Sequence, residues 1–587
     1  MRSFLKIFLA SFLALLVFVG VTVFFLLGFL GGLASKPVAE IGSNAVLVLD
    51  LSQTYSEKIT TDPLAGFSES RYDVPGLYDV VRMIHYAKTD TAIRGIYIKA
   101  SANANGLGAT EEIRNALREF KRSGKFIYAY GDVIPMRAYY PASVADQIYC
   151  NPKGGVEWKG LTSVMGFIKG GLDKLEIEPE IFYAGKFKSA TEPLRAEKMS
   201  DANRLQLTVI LDEIFNHMLA QTAVSRVQDS AVLRRCVDEQ LIQTAGDALH
   251  FRLVDGLKYN DQLLDEIKEK VKASAITSIN FVALGKYYES VRNKFLPSDG
   301  NDRIALIYAE GDIVDGKNSQ KVIGQDAYRY MIRKARLDKD VKAIVLRINS
   351  GGGSGLVSEN LWRELTLARA DKPVVVSFGD IAASGGYYVS CNADSIFADP
   401  MTITGSIGVF TMLFNTQSFF KNKLGVTFDA VHTAKQSDAI SLYQPLTEMQ
   451  RKFMQSGVDS FYQDFLSRVA EGRHKSRAYI DSIGQGRIWS GEQAQQLGLV
   501  DRIGGIQDAV DCAARLAKTK SYRLREYPEP ESFFELLLNN YTQSTKMKTI
   551  REDLGEEGVR WYSMMSDYQN MTGVPQTRMP FTFILNP

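Results

Sequence analysis

The chain has 587 residues, 45% of them hydrophobic and 23% charged, a length that divides into two to four domains at about 150 residues each. Its 69 basic and 67 acidic residues leave a formal charge of +2, which argues against a polyanionic partner and gives nucleic-acid binding no support. The four cysteines (Cys150, Cys236, Cys391 and Cys512) lack C-x-x-C spacing and the five histidines form no H-E-x-x-H pattern, so neither a disulfide framework nor a metal site is expected.

The first predicted element runs from Ile7 to Ala34 without a charged residue, between Arg2 and Lys6 on one side and Lys36 on the other. A span of that length exceeds the ~20 apolar residues needed to cross a bilayer and the roughly 7 to 15 of a cleaved signal sequence. The expectation is an uncleaved anchor within residues 1–35. With Arg2 and Lys6 held inside, the rest of the chain lies across the membrane.

Beyond the anchor the chain repeats itself. Val341-Lys342-Ala343-Ile344-Val345-Leu346 resembles Ile93-Arg94-Gly95-Ile96-Tyr97-Ile98 at an offset of 248, and the same offset pairs Glu359 with Glu111, Gly379-Asp380 with Gly131-Asp132, Tyr387-Tyr388 with Tyr139-Tyr140 and Pro400 with Pro152. Several matches at one offset indicate a tandem duplication. The halves are expected at 44–296 and 302–525, joined at the Pro297-Ser298-Asp299-Gly300 turn, with a helical arm at 526–587 of oligomeric or membrane-facing role.

Within the second half, Ile304–Tyr308, Lys342–Ile348, Val374–Phe378, Ser395–Ala398 and Thr427–Val431 read as strands, and Leu356–Ala370 and a segment near Thr416–Leu424 as helices. Long helices are expected at Asp201–Val224 in the first half and Met449–Ala470 in the second. Strands alternating with helices give an α/β fold with parallel sheet and right-handed crossovers.

The chemistry centres on Gly379 to Tyr388. Ser384 is placed on a glycine-flanked turn just past the carboxyl end of a buried strand, where open α/β sheets bind ligands, and is the candidate nucleophile. Subtracting 248 puts Met136, Arg137 and Ala138 opposite Ser384, Gly385 and Gly386, so the first half lacks this serine. The glycine run Gly351-Gly352-Gly353 is likewise confined to the second half, where it can present backbone N–H groups. At offset 249 the asymmetry reverses, with Lys188 opposite Ser437. One composite site drawing on both halves follows. A lysine acts as base only when neutral, which requires lowering its ordinary value of about 10.4. By pattern alone Lys186 and Lys188 are equal candidates, with His432 a rival.

These residues resemble the long, two-repeat signal peptide peptidases (protease IV type) of the S49 serine peptidase family. The marks are Ala382-Ala383-Ser384-Gly385-Gly386-Tyr387-Tyr388, Thr404-Gly405-Ser406-Ile407-Gly408 and Lys186-Phe187-Lys188-Ser189-Ala190-Thr191-Glu192-Pro193. The resemblance implies a ClpP/crotonase-like fold in each repeat and a Ser/Lys dyad with Ser384 as nucleophile and Lys188, not Lys186, as base. It also implies Ser406 as the residue that orients the lysine, and Gly385 with Gly352 or Gly353 as oxyanion donors. The family usually has proline where Gly351 stands, which bears on the second donor. Further implications are remnant signal peptides as substrates, a homotetramer, no metal or organic cofactor, and a catalytic portion on the outer face of the cytoplasmic (inner) membrane. The competing readings are a non-catalytic scaffold for membrane peptides and a crotonase-type acyl-CoA enzyme.

Overall fold

In the computed structural model the described residues are 2–34, 40–59, 74–294, 301–316, 322–434, 437, 441, 443–529, 555 and 575–579. The β-branched and aromatic runs of the first half become β1 (Ala45–Asp50), β2 (Ile93–Lys99), β3 (Phe126–Pro135), β4 (Gln147–Glu157), β5 (Glu178–Ala184), β6 (Gly256–Leu257) and β7 (Phe281–Ala283). Six of them form a parallel sheet in the order β6-β4-β3-β2-β1-β7. Leu47, Ile96, Ile98, Ile127 and Ile148 are fully buried between this sheet and its helices, as expected of a parallel sheet covered on its faces.

The second half contributes β8 (Arg303–Glu310), β9 (Asp312–Val314), β10 (Val322–Gly324), β11 (Val341–Ser350), β12 (Gly352–Ser354), β13 (Val374–Ala383), β14 (Ser395–Ala398), β15 (Ile403–Gly405), β16 (Val409–Asn415), β17 (Ile488–Ser490), β18 (Arg502–Ile503) and β19 (Arg523–Tyr527). A last strand, β20 (Gln576–Arg578), follows far along the chain. The main sheet runs β17-β15-β13-β11-β8-β19, with β14 beside β13 and β18 beside β14. β11 lies at its centre, parallel to both β8 and β13.

A third sheet joins the halves. Its order is β10-β9-β12-β20-β16-β5, so β5 of the first half leaves its own sheet and pairs antiparallel with β16 of the second, from Val409 opposite Ala184 to Asn415 opposite Glu178. The halves also share a buried ion cluster: Arg347, fully buried on β11, donates to Glu57 at 2.7 Å and to Glu112 at 2.5 Å.

The two long helices span Asp201–Arg226 and Glu448–Arg473. The first starts at Ser200, whose side chain accepts from the Asn203 N–H, and buries Leu207, Ile210, Ile214 and Met218 at helical spacing. The expected strand at 427–431 does not form. That stretch is exposed and irregular, with Val431 wholly open, because its apolar side chains find no sheet to cover among the described residues. Most of the arm at 526–587, expected to be helical, lies outside the described residues; of those described, 526–527 end the strand Arg523–Tyr527 and 576–578 form another. The expected membrane span falls on one helix, Arg2–Ala34. Among the described residues no helix is long and apolar enough to cross a membrane, and the side chains of 23–34 are not among those described.

Candidate active site

β13 buries Val374 to Phe378 completely or nearly so and delivers Ser384 immediately past its end. Ser384 adopts φ 54°, ψ −113° and starts the short helix Gly385–Ser390, while its N–H donates to the Gly405 carbonyl at 2.8 Å. For a residue with a Cβ that conformation costs about 1–3 kcal/mol and persists only where the surroundings over-determine it. The glycines after it are required by close packing. A Cβ on Gly385 would stand 2.7 Å from the Ser358 and Thr577 hydroxyls, and one on Gly386 would stand 2.7 Å from the Ser350 carbonyl. Ser384 is therefore fully enclosed.

Lys188 reaches this serine because β5 has crossed into the mixed sheet. After Ala184 the chain turns at Gly185, φ 114°, and Lys188 N–H donates to the Gly185 carbonyl at 3.1 Å. Its Nζ lies 2.8 Å from Ser384 Oγ, 3.1 Å from Ser406 Oγ and 3.2 Å from the Ser406 carbonyl oxygen. The side chain is 1% exposed, and burial holds its amine well below the ordinary lysine value. A neutral amine has one lone pair and two N–H donors. The three oxygens around Nζ match that set, with the Ser384 hydroxyl able to donate to the lone pair.

Ser406 is also fully buried, at φ 50°, and is fixed by its N–H donating to the Arg487 carbonyl at 2.7 Å. On the other side of Ser384, β12 carries Gly352 (φ 102°) and Gly353 (φ 156°). Side chains are excluded at both: a Cβ would meet the Thr577 carbonyl oxygen at 1.9 Å and the Ile313 carbonyl oxygen at 2.0 Å respectively. The Gly352 N–H donates to Ser350 Oγ at 3.1 Å, while Gly353 pairs with Thr577 across the β12–β20 ladder.

The geometry separates the rivals. Lys186 is exposed, with its ammonium 5.8 Å from the Phe187 ring, and His432 lies in the exposed stretch that replaced the expected strand. Ser437 sits in an exposed turn. Met136 and Arg137 stand at the end of β3 as the repeat requires, Met136 buried in the core of the first half.

Several supporting residues escaped the sequence reading. Asn203 and Gln206, on the buried face of the helix Asp201–Arg226, hold the Lys188 turn: Gln206 donates to the Phe187 carbonyl at 3.1 Å and to Ser189 Oγ at 3.0 Å, and Ser189 donates to Asn203 Oδ1 at 2.9 Å. Polar residues at i and i+3 on an otherwise apolar stripe were the available signal. Gly486, from the second half, lies against the lysine backbone, where a Cβ would stand 2.6 Å from Lys188 N. Among the described residues no group of three or more His, Cys, Asp or Glu side chains is placed to hold a metal.

Known proteins are similar to this chain in sequence. The chain is 35% identical over 555 residues to Protease 4 of Salmonella typhi, covering 91% of this chain and 87% of that one. It is 32% identical over 503 residues to Protease 4 of Haemophilus influenzae, covering 84% and 81%, and 29% identical over 525 residues to the chloroplastic serine protease SPPA of Arabidopsis thaliana, covering 87% and 75%. The profile of Peptidase family S49 matches twice, at residues 119–274 and 366–520, once in each repeat. The chain therefore belongs to peptidase family S49 and is a serine peptidase built from two copies of that family's domain.

Proposed function

We propose that the protein is a membrane-anchored endopeptidase whose Ser384/Lys188 dyad degrades remnant signal peptides after their release from preproteins. The observation that carries the dyad is the 2.8 Å approach of a fully buried lysine amine, its proton affinity lowered by burial, to the hydroxyl of Ser384.

In this reading neutral Lys188 takes the Ser384 proton as Oγ attacks the peptide carbonyl. The tetrahedral oxyanion accepts from the N–H groups of Gly385 and Gly353. Lys188 then gives its proton to the departing amine, and water, deprotonated by the same lysine, attacks the acyl ester and frees Ser384. Ser406 keeps Nζ aimed at Ser384 throughout. Each half would be a ClpP/crotonase-like unit, in keeping with its parallel sheet and helical crossovers. The membrane reading draws on the helix Arg2–Ala34, whose described apolar side chains from Phe4 to Val21 are exposed. Nothing in the described chain covers that surface, and a bilayer would. It would hold the site against the outer face of the cytoplasmic (inner) membrane, where spent signal peptides lie.

A homotetramer accords with the strand exchange. β5 completes β16 within one chain, but the repeat equivalents, 427–433 and 161–167, form no ladder and expose Phe428, Val431 and Val164. Pairing 427–433 of one copy with 161–167 of the next would repeat the same joint head to tail and close a ring. Light scattering giving a monomer mass at micromolar concentration would end this reading.

Hydrolysis of a chromogenic peptide ester tests the dyad. Ser384→Ala and Lys188→Ala are each expected to lower kcat/KM by at least about 10³-fold. Near-normal hydrolysis in either variant would remove that residue from the mechanism. Belonging to a peptidase family already weighs against the scaffold and acyl-CoA alternatives.

A further inference from the structure

Among the described residues, β20 is the element beside Ser384 that has no counterpart in the first half. It lies between β12 and β16 and is antiparallel to both, with Gly352 opposite Arg578, Gly353 opposite Thr577, Ser354 opposite Gln576, and Phe410 opposite Gln576 on the other side. Main-chain bonds continue past its ends: Met579 N–H donates to the Gly351 carbonyl at 2.6 Å, and Gly355 N–H donates to the Pro575 carbonyl at 2.9 Å. Gln576 and Thr577 are buried. The position of Thr577 is the informative one. Its carbonyl oxygen lies 1.9 Å from the point where a Cβ on Gly352 would stand, and the Gly385 nitrogen lies 2.7 Å from that same point. Its hydroxyl donates to the Gly353 carbonyl at 3.2 Å and lies 3.4 Å from Ser358 Oγ.

We propose that Pro575–Met579 occupies the strand position of a peptide substrate, with the Thr577 carbonyl turned to the N–H groups of the oxyanion site, so that the chain's own segment competes with substrate for the cleft. The proposal rests on the reading of Ser384 and the glycine donors given above. An extended peptide added between two strands is held by main-chain bonds whatever its sequence. A cleft with a glycine strand on one side and β16 on the other offers those bonds to any extended segment. It cannot serve β20 and a substrate at once. Tethering supplies an effective concentration on the order of millimolar, enough to keep the cleft filled against a dilute peptide even when the free segment binds only at about 100 µM. A substrate delivered at high local concentration displaces it.

The test measures occupancy apart from chemistry. A fluorescein-labelled peptide of the sequence from Gly573 to Phe581 is titrated, by anisotropy, into two full-length chains that both carry Ser384→Ala. In one of them residues 575–579 are replaced by Gly-Ser-Gly-Ser-Gly. The replaced chain is expected to bind at least about tenfold more tightly, the competition factor that millimolar tethering implies. A peptide with proline in place of Thr577, lacking the N–H and unsuited to the strand, is expected not to bind. In steady-state hydrolysis the full chain with Thr577→Pro is expected to show a KM about tenfold below that of the unaltered chain. Equal peptide binding by the two chains, or an unchanged KM, overturns the proposal. A replaced chain that binds the peptide tightly while the intact chain hydrolyses no ester would overturn the dyad and leave the occupancy standing. Ester hydrolysis with equal peptide binding would do the reverse.

Discussion

The two halves place the same backbone at the same point and fill it differently. β3 is followed by Met136 and Arg137, β13 by Ser384 and Gly385. In the first half Arg137 donates to the Asn105 carbonyl at 2.6 Å and Asn103 donates to the Arg137 carbonyl at 2.9 Å, so side chains seal the loop that is glycine in the second, where β20 lies along it. The frame behind the site is kept in both: Tyr140 donates to Glu111 and Tyr388 to Glu359, each at 2.5 Å. Even the helix start that a ligand would face is occupied in the first half, where Asp380 of the second accepts from the Ala109 N–H at 2.9 Å. The duplication has thus retained packing twice and the serine once, and in the proposed mechanism the second half takes its base from the first.

The largest expected difference between equivalent positions concerns stability. Arg347 and Lys99 occupy matching places on β11 and β2, but Arg347 is fully buried between Glu57 and Glu112 while the Lys99 side chain is 52% exposed, 3.7 Å from Asp50. Breaking a buried cluster from one side strands charge and costs about 3–5 kcal/mol. An exposed pair is worth about 0–1 kcal/mol. Arg347→Leu should therefore lower the denaturation midpoint sharply, and Lys99→Leu should barely move it. Adding Glu57→Gln and Glu112→Gln to Arg347→Leu should recover most of the loss. Equal, small effects at the two positions would show that the halves are not locked through this cluster.

A smaller effect is expected where the second half touches the lysine. Gly486 and Gln240 are repeat equivalents at offset 246 and share the left-handed conformation, φ 76° and 52°. Gln240 is exposed, whereas Gly486 has the Lys188 backbone directly over it. Gly486→Ala should displace that backbone and lower kcat/KM by roughly 10- to 100-fold, the penalty of a displacement near 1 Å. Gln240→Ala should leave kinetics unchanged. Retained activity in Gly486→Ala would mean that the lysine turn tolerates movement, and that the supporting bonds from Gln206 are not needed.

Much of this site was legible before any coordinates. Local pattern sufficed where local forces decide. The helix expected at Leu356–Ala370 runs Gly355–Asp371, and Ser395–Ala398 is a strand as read. Comparing the halves pointed to the Lys186–Lys188 stretch, because a missing lysine at Ser437 and a missing serine at Met136 are visible as letters, and the family resemblance then chose Lys188. What could not be read was pairing across distance. The Thr427–Val431 pattern resembles a strand, but a strand needs an edge to join and the described residues offer none there. β20 fails in the opposite sense, since Gln576-Thr577-Arg578 has no apolar alternation and owes its form to main-chain bonds with a glycine strand. Gln206 was missed because a buried polar residue on a helix is recognisable only once its acceptors, supplied by the Lys188 turn, are in place.

The finest distinction lies in the titration of the proposed base. Lys188 is buried and its folded value lies well below 10.5, so the rate should rise as pH passes through that depressed value and not near 10.5. An ascending limb near the ordinary lysine value would argue for an exposed base such as Lys186. A lysine introduced at the exposed equivalent Ser437 should titrate as ordinary lysine does. The same depression has a consequence for folding. Above pH 10.5 both folded and unfolded chains hold the amine neutral. As pH falls below 10.5 the unfolded chain binds a proton that the folded chain does not, and stability declines until pH reaches the folded value, below which the loss is constant. Each tenfold shift in that protonation equilibrium is worth about 1.4 kcal/mol. Lys188→Met, close in length and without charge, should therefore abolish hydrolysis yet unfold at a higher midpoint than the native chain at neutral pH, with the gap closing as pH approaches 10.5. A midpoint that falls on this substitution would mean that the bonds to Ser384 and Ser406 outweigh the cost of burying the amine, and that the lysine serves the fold as well as the chemistry.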